Sequence, residues 1–141
     1  MGCRNATDRQ TKAAFRFVGD AVKPGQITRL LGIEPSEAHE KGAPVAAHPE
    51  RKHPTGLWML KSSLSPDQQL QEHLGELLAI LLPKDREVRA VVQTGIAATF
   101  YCALFATCPD YDGYFALRPD MLRAIAELGA ELEVHVYCLG G

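Results

Sequence analysis

The sequence lacks any apolar run near the ~20 residues that a membrane-crossing helix needs. Its longest apolar stretches, Leu77–Leu82 and Ile96–Ala106, fall well short. It also lacks a CxxC pair. The four cysteines, Cys3, Cys102, Cys108 and Cys138, are not spaced to clamp a metal or staple a small secreted fold. Reduced thiols in a cytoplasmic protein are the expectation. No glycine-rich phosphate loop and no GxSxG nucleophile turn occurs. An excess of one charge is missing too: 15 basic against 17 acidic residues leaves a net charge of −2. No strong field gathers a nucleic-acid backbone or an acidic membrane surface, so neither is expected as a partner. The opening segment MGCRNATDRQTK has no apolar core of the kind a signal peptide carries. Met1-Gly2-Cys3 begins like a lipidation signal, but Ala6 stands where that signal wants Ser or Thr. Residues 1–12 are read as a flexible polar tail.

What is present describes an ordinary globular chain. Of 141 residues, 46% are apolar and 23% charged, and a chain of this length buries about 68–70% of its unfolded surface. A single domain over 13–141 is expected. Ala13–Asp20 carries two Phe in weak alternation and reads as a strand. Pro24 suits a first helical turn; Ile27, Leu30 and Leu31 then make one apolar stripe that Gly32 closes. Glu34 to Pro54 holds four Pro and three His with little periodicity. It is expected to be a long irregular loop, with a short extended piece near Glu37–Lys41. Gly56–Lys61 is a second strand around the only Trp, Trp58.

Ser65-Pro66-Asp67-Gln68 predicts a sharp helix start with a capping box. Leu70, Leu74, Leu77, Leu78 and Leu81 continue on one face until Pro83. A further helix is expected from Asp85 to Thr94. Ile96–Thr107 is apolar on both faces, the mark of a central strand. Cys108–Gly113 is turn chemistry, and Tyr114–Leu117 is expected to return as a shorter strand. Pro119 opens a last helix that Gly129 closes. Glu131–Leu139 alternates, with Leu132, Val134, Val136 and Cys138 inward and Glu133, His135 and Tyr137 outward. The predicted order is β-α-β-α-α-β-β-α-β. The fold class is α+β: a predominantly antiparallel sheet with helices on one face and ferredoxin-like elements in its second half.

Several segments carry a resemblance that spans nearly the whole chain after Thr11. ITRLLGIEP with a later KG, then GLW and EHLGELL, are the first of these; the helix LRPDMLRAIAELGAELEV and the terminal VYC complete them. Together they resemble the bacterial family called domain of unknown function 4279. The resemblance implies a small single-domain bacterial protein with no established reaction and, by analogy, an immunity- or antitoxin-like role beside a secreted toxin. The His- and Pro-rich stretch Ala43–Pro54 matches no motif of it.

The candidate chemistry is sparse. His39, His48, His53, His73 and His135 invite a metal, but zinc ligands arrive as close pairs such as CxxC or HxxxH, and none occurs. No metal and no cofactor is expected. His73 lies at the edge of the leucine stripe and reads as a packed histidine. A nucleophile–base pair would need Ser or Cys within hydrogen-bond reach of a His that a third group orients. Glu34, Glu37, Glu72, Glu76, Asp110 and Asp112 are scattered and read as solvated. These observations argue against an enzyme.

The sheet face opposite the helices is the exception. Period two places Arg16, Tyr101, Phe105, His135 and Tyr137 on it, with Tyr114 or Phe115 joining according to register. Tyr and His combine an apolar body with a polar tip, and Tyr and Arg are enriched at recognition surfaces. The reading is a non-catalytic module that binds a protein through this face and the 34–54 loop, or that pairs with itself there as a homodimer. The alternative is a small-molecule sensor or weak hydrolase, with a pocket between the loop and the sheet.

Overall fold

Phe15 and Phe17 decide which side of the first strand is dry. In the computed structural model, which describes residues 9–106 and 115–138, β1 (Arg9–Gly19) buries Ala13, Phe15 and Phe17 on one side and turns Lys12 and Arg16 to the other. Helix α1 (Pro24–Leu31) starts on Pro24 and ends on Gly32, whose φ of 68° is the left-handed conformation that glycine adopts without strain. Three short strands follow: β2 (Glu37–His39), β3 (Pro44–Val45) and β4 (His48–Lys52). Then come β5 (Gly56–Lys61), α2 (Leu70–Leu81), a 3-10 turn over Leu82–Lys84 and α3 (Asp85–Gln93). Last are β6 (Ala97–Ala106), α4 (Pro119–Glu127) and β7 (Glu131–Cys138).

The main sheet has five strands in the order β2-β5-β1-β6-β7, and β3 pairs with β4 alone. All contacts in the main sheet are antiparallel except that of β6 with β7. The fold is therefore α+β with a mostly antiparallel sheet. Among the described residues the four α-helices pack on one side. Phe15, Phe17, Trp58, Phe100 and Cys102 from the sheet meet Leu31, Leu74, Leu77, Val88 and Ile125 from the helices in one core. Rings interlock there, with Phe15 edge-on to Phe17 at 4.9 Å and Phe17 5.7 Å from Trp58. The Trp58 indole donates to Thr28 Oγ1 at 3.0 Å and so ties β5 to α1 without an unpaired polar atom. Trp58 is the core anchor its strand position suggests.

Five expectations are corrected. The tail assigned to 1–12 does not reach Lys12, because Arg9–Lys12 pair with Ala106–Ala103 and extend β1 along the whole of β6. Helix α2 begins at Leu70 and not at Ser65. The Pro66 carbonyl accepts from the Thr11 N–H at 2.8 Å, and Gln68 N–H closes a turn on Ser65, so 62–68 is spent on the sheet edge. The strand expected at Tyr114–Leu117 is absent over its described part, since Phe115–Leu117 pair with nothing. Both sides of β6 are already taken by β1 and β7; Tyr114 and the Cys108–Gly113 turn lie outside the described residues. The ferredoxin-like element is consequently not a late hairpin. It is the split crossover β5-α2-α3-β6, whose parallel strands flank β1.

The 34–54 segment, fourth, is not an irregular loop. The extended piece expected near Glu37–Lys41 is β2, which adds to the sheet edge through Glu37↔Met59 and His39↔Leu57, and beyond it a hairpin is locked by Gly42 N–H to His53 carbonyl at 2.8 Å. His39 and His53 stack with ring centroids 3.4 Å apart. Burial and the neighbouring His53 push the His39 imidazole below its ordinary value. Fifth, the inward side of β7 is covered only as far as Val134: Val136 is 66% exposed and Cys138 is exposed as well.

Candidate binding face

Pleating turns every second residue of the central strands away from the helices. The register brings them into rows: Arg16 lies opposite Thr99, Ala14 opposite Tyr101, and Tyr101, Ala103 and Phe105 lie beside Glu133, His135 and Tyr137. The five residues expected on this face, Arg16, Tyr101, Phe105, His135 and Tyr137, are thus all on it and adjacent. Small side chains at Ala14 and Ala103 leave the larger ones room to lie along the sheet.

Their contacts form a chain across three strands. The Arg16 guanidinium sits 4.7 Å from the Tyr101 ring centroid and donates from Nη2 to Glu133 Oε2 at 3.0 Å. Glu133 is also 3.4 Å from His135 Nε2. The Tyr101 ring lies 4.9 Å from His135, and the Tyr101 and Tyr137 hydroxyls are 3.5 Å apart. That neighbouring hydroxyl, helped by partial burial, holds the Tyr101 phenol above its ordinary range. Phe105 stacks on Tyr137 at 5.0 Å, with the Lys12 ammonium 5.7 Å from the Phe105 ring. Arg16 and Glu133 keep 31% and 42% of their side-chain surface in solvent, so their pairing adds only about 0.2–1 kcal/mol. The chain orders the aromatic surface more than it stabilises the fold. Arg16 Nε and His135 Nε2 are shielded yet have no hydrogen-bond partner.

Two contributors were not singled out from the sequence. Glu133 alternates outward with His135 and Tyr137, but only the β6–β7 register and the arrival of Arg16 from β1 make it the hub. Lys12 falls in the segment read as a tail, although Lys12-x-Ala14-x-Arg16 has the period of a strand. Phe115, 37% exposed, sits in the unpaired segment before α4 and gains no place through a strand.

A cavity of about 440 Å³ opens where β5 ends and the chain turns along β1. Met59, Leu64, Tyr101 and Phe105 form apolar walls, Lys12 and Lys61 stand among the lining residues, and none of these is a carboxylate. It lies beside residues 62–66, and its lining includes no residue of 34–54. His73, 1% exposed, and Ser62 also line it, with Ser62 Oγ 2.7 Å from His73 Nδ1. Burial pushes this imidazole below its ordinary value. The pair has the reach of a nucleophile and a base, but among the described residues no carboxylate hydrogen-bonds His73 to orient the ring as a base. The arrangement is that of a buried core histidine held by Ser62. Nearby, Ser63 donates to Glu76 through both its backbone N–H (2.8 Å) and its hydroxyl (2.6 Å), which holds that carboxyl low.

Among the described residues no three of His, Cys, Asp and Glu cluster as metal ligands, and no helix is long and apolar enough to cross a membrane. Burial raises the Cys102 thiol to about 12 and removes it from thiolate chemistry. The family model described as Domain of unknown function (DUF4279) matches residues 9–139. No curated protein and no solved structure matches the chain.

Proposed function

Because the chain belongs to the DUF4279 family, whose description names no reaction, we propose that it is a non-catalytic recognition module of the bacterial cytoplasm that holds a partner protein against its helix-free face. The observation that carries this reading is the ordered row Arg16–Tyr101–His135–Tyr137–Phe105, preassembled by Glu133 on a rigid sheet. Aromatic side chains held in place lose little entropy on binding, and a central cluster of Tyr and Arg is the usual composition of an interface hot spot. The exposed β3–β4 hairpin stands beyond the other end of the sheet and supplies a second contact. An immunity- or antitoxin-like role, with a toxin as the partner, is one form of this function.

The test is site-specific photocrosslinking in the native host. A benzophenone side chain at Phe105 should trap one defined protein, and the same group at Leu122, on the exposed side of α4, should not. Tyr101→Asp, which puts a carboxylate in the middle of the row, should abolish the crosslink while far-UV ellipticity stays unchanged. Equal crosslinking from both sides of the molecule, or none, would refute the reading.

The cavity supports a second one. Apolar walls with two lysines suit a small carboxylic acid with an apolar body, bound and not turned over. Benzoate or phenylacetate should raise the melting midpoint, and Lys12→Ala with Lys61→Ala should cancel the shift. No shift with the unaltered chain removes this reading.

A further inference from the structure

We propose that the outer edge of β7 pairs antiparallel with β7 of a second copy, about a two-fold axis at Val134, joining two five-stranded sheets into one. The two edges of the sheet are unequal. At β2 the edge is three residues long, the short form that discourages pairing. At β7 it is eight residues long and runs in unbroken register with β6 from Glu131 to Cys138. It contains no Lys, no Pro and no bulge, three of the devices that keep exposed edges single, and its only carboxylates are Glu131 and Glu133. Among the described residues no strand pairs with its outer side.

The strand is complementary to itself. An axis at Val134 sets Glu133 opposite the second copy's His135, Leu132 opposite its Val136 and Glu131 opposite its Tyr137. Moving the axis to Glu133 would set two carboxylates face to face, and moving it to His135 would set two imidazoles together. Like charges directly opposite destabilise a strand pair, whereas opposite charges and apolar pairs support it. The same axis keeps both helical layers on one side. It brings Leu132 against Val136, whose 66% exposure the chain's own helices leave unexplained. It also leaves Arg16, Tyr101 and Phe105 uncovered on the other side, so this contact goes beyond the recognition proposed above, with His135 and Tyr137 common to both.

Sedimentation equilibrium on the full chain tests the pairing. A dimer is expected at about 100 μM or below. Val136→Lys, at a site exposed enough to accept it, and His135→Glu should each raise the dissociation constant at least about tenfold. His135→Lys should preserve the dimer, because Lys faces Glu133. Tyr101→Asp should leave it unchanged. Far-UV ellipticity of each variant separates lost pairing from lost folding. A monomeric unaltered chain overturns the proposal; so does a dimer that survives Val136→Lys or one that Tyr101→Asp breaks, since the latter would lie across the aromatic face.

Discussion

Two glycine-to-alanine substitutions should change stability in opposite directions. At Gly56 an added Cβ would lie 2.8 Å from the Gly19 carbonyl oxygen, 2.8 Å from Val22 Cβ and 3.1 Å from the Val22 carbonyl oxygen. None of these can retreat. Gly56 and Gly19 are register partners of β5 and β1, the Gly19 carbonyl accepts from Val22 N–H at 3.2 Å, and Val22 is fully buried. Overpacking of this kind costs about 1–3 kcal/mol. At Gly75, inside α2, the new methyl would meet no heavy atom within 4 Å. There alanine removes the backbone-entropy cost of glycine in a helix, about 0.5–1 kcal/mol. Gly56→Ala and Gly75→Ala should therefore lie roughly 1.5–4 kcal/mol apart, on either side of the unaltered chain. Urea unfolding followed by far-UV ellipticity, with linear extrapolation, measures the difference. Trp58 fluorescence serves as a second probe of the same transition. A neutral Gly56→Ala would mean that the start of β5 is free to move away from β1, and the packing argument would be wrong. A destabilised Gly75→Ala would mean that the outer side of α2 is covered.

Further outcomes follow from the core and its titratable groups. Leu74→Ala, at a side chain with no exposure between α2 and the sheet, should cost about 2–5 kcal/mol in the same titration, against a few tenths for Leu122→Ala, 48% exposed. Cys102 should stay unmodified by iodoacetamide in the native state, as peptide mapping would show, and exposed Cys138 should react; labelling of Cys102 before unfolding would contradict its burial. Stability should fall on acidification from pH 7. His39 and His73 are held below the ordinary histidine value of 6.5, so the unfolded chain takes up their protons first. The slope is at most about 1.4 kcal/mol per pH unit for each proton, and His73→Gln should remove its share. A stability profile flat between pH 7 and 5 would refute this assignment.

Local pattern was enough to read much of this molecule. The leucine stripe of α2, the two-sided apolar strand β6, Gly32 and Gly129 as helix stops and the outward set Arg16, Tyr101, Phe105, His135 and Tyr137 all follow from periods of 3.6 and 2. Such periods are properties of a few consecutive residues. The errors share one cause. Ser65–Gln68 has every local mark of a helix start, yet the Thr11 N–H draws Pro66 to the sheet edge. Phe115–Leu117 has strand composition, but β1 and β7 already hold both sides of β6, and the polar Arg9–Lys12 becomes strand because β6 is long enough to pair with it. In each case a partner far along the chain outweighs local preference, because a backbone hydrogen bond needs two strands.

The sequence alone therefore determined which side chains of β1, α2 and β6 share a face, since side-chain direction is set by the backbone of each element. Only the tertiary structure decided that Arg16, from the start of the chain, meets Glu133, from its end. It also left β7, and not β6, at the edge. Strand order and register are choices among long-range pairings of similar local geometry, settled by which arrangement buries Phe15, Phe17, Trp58 and Phe100 in one core.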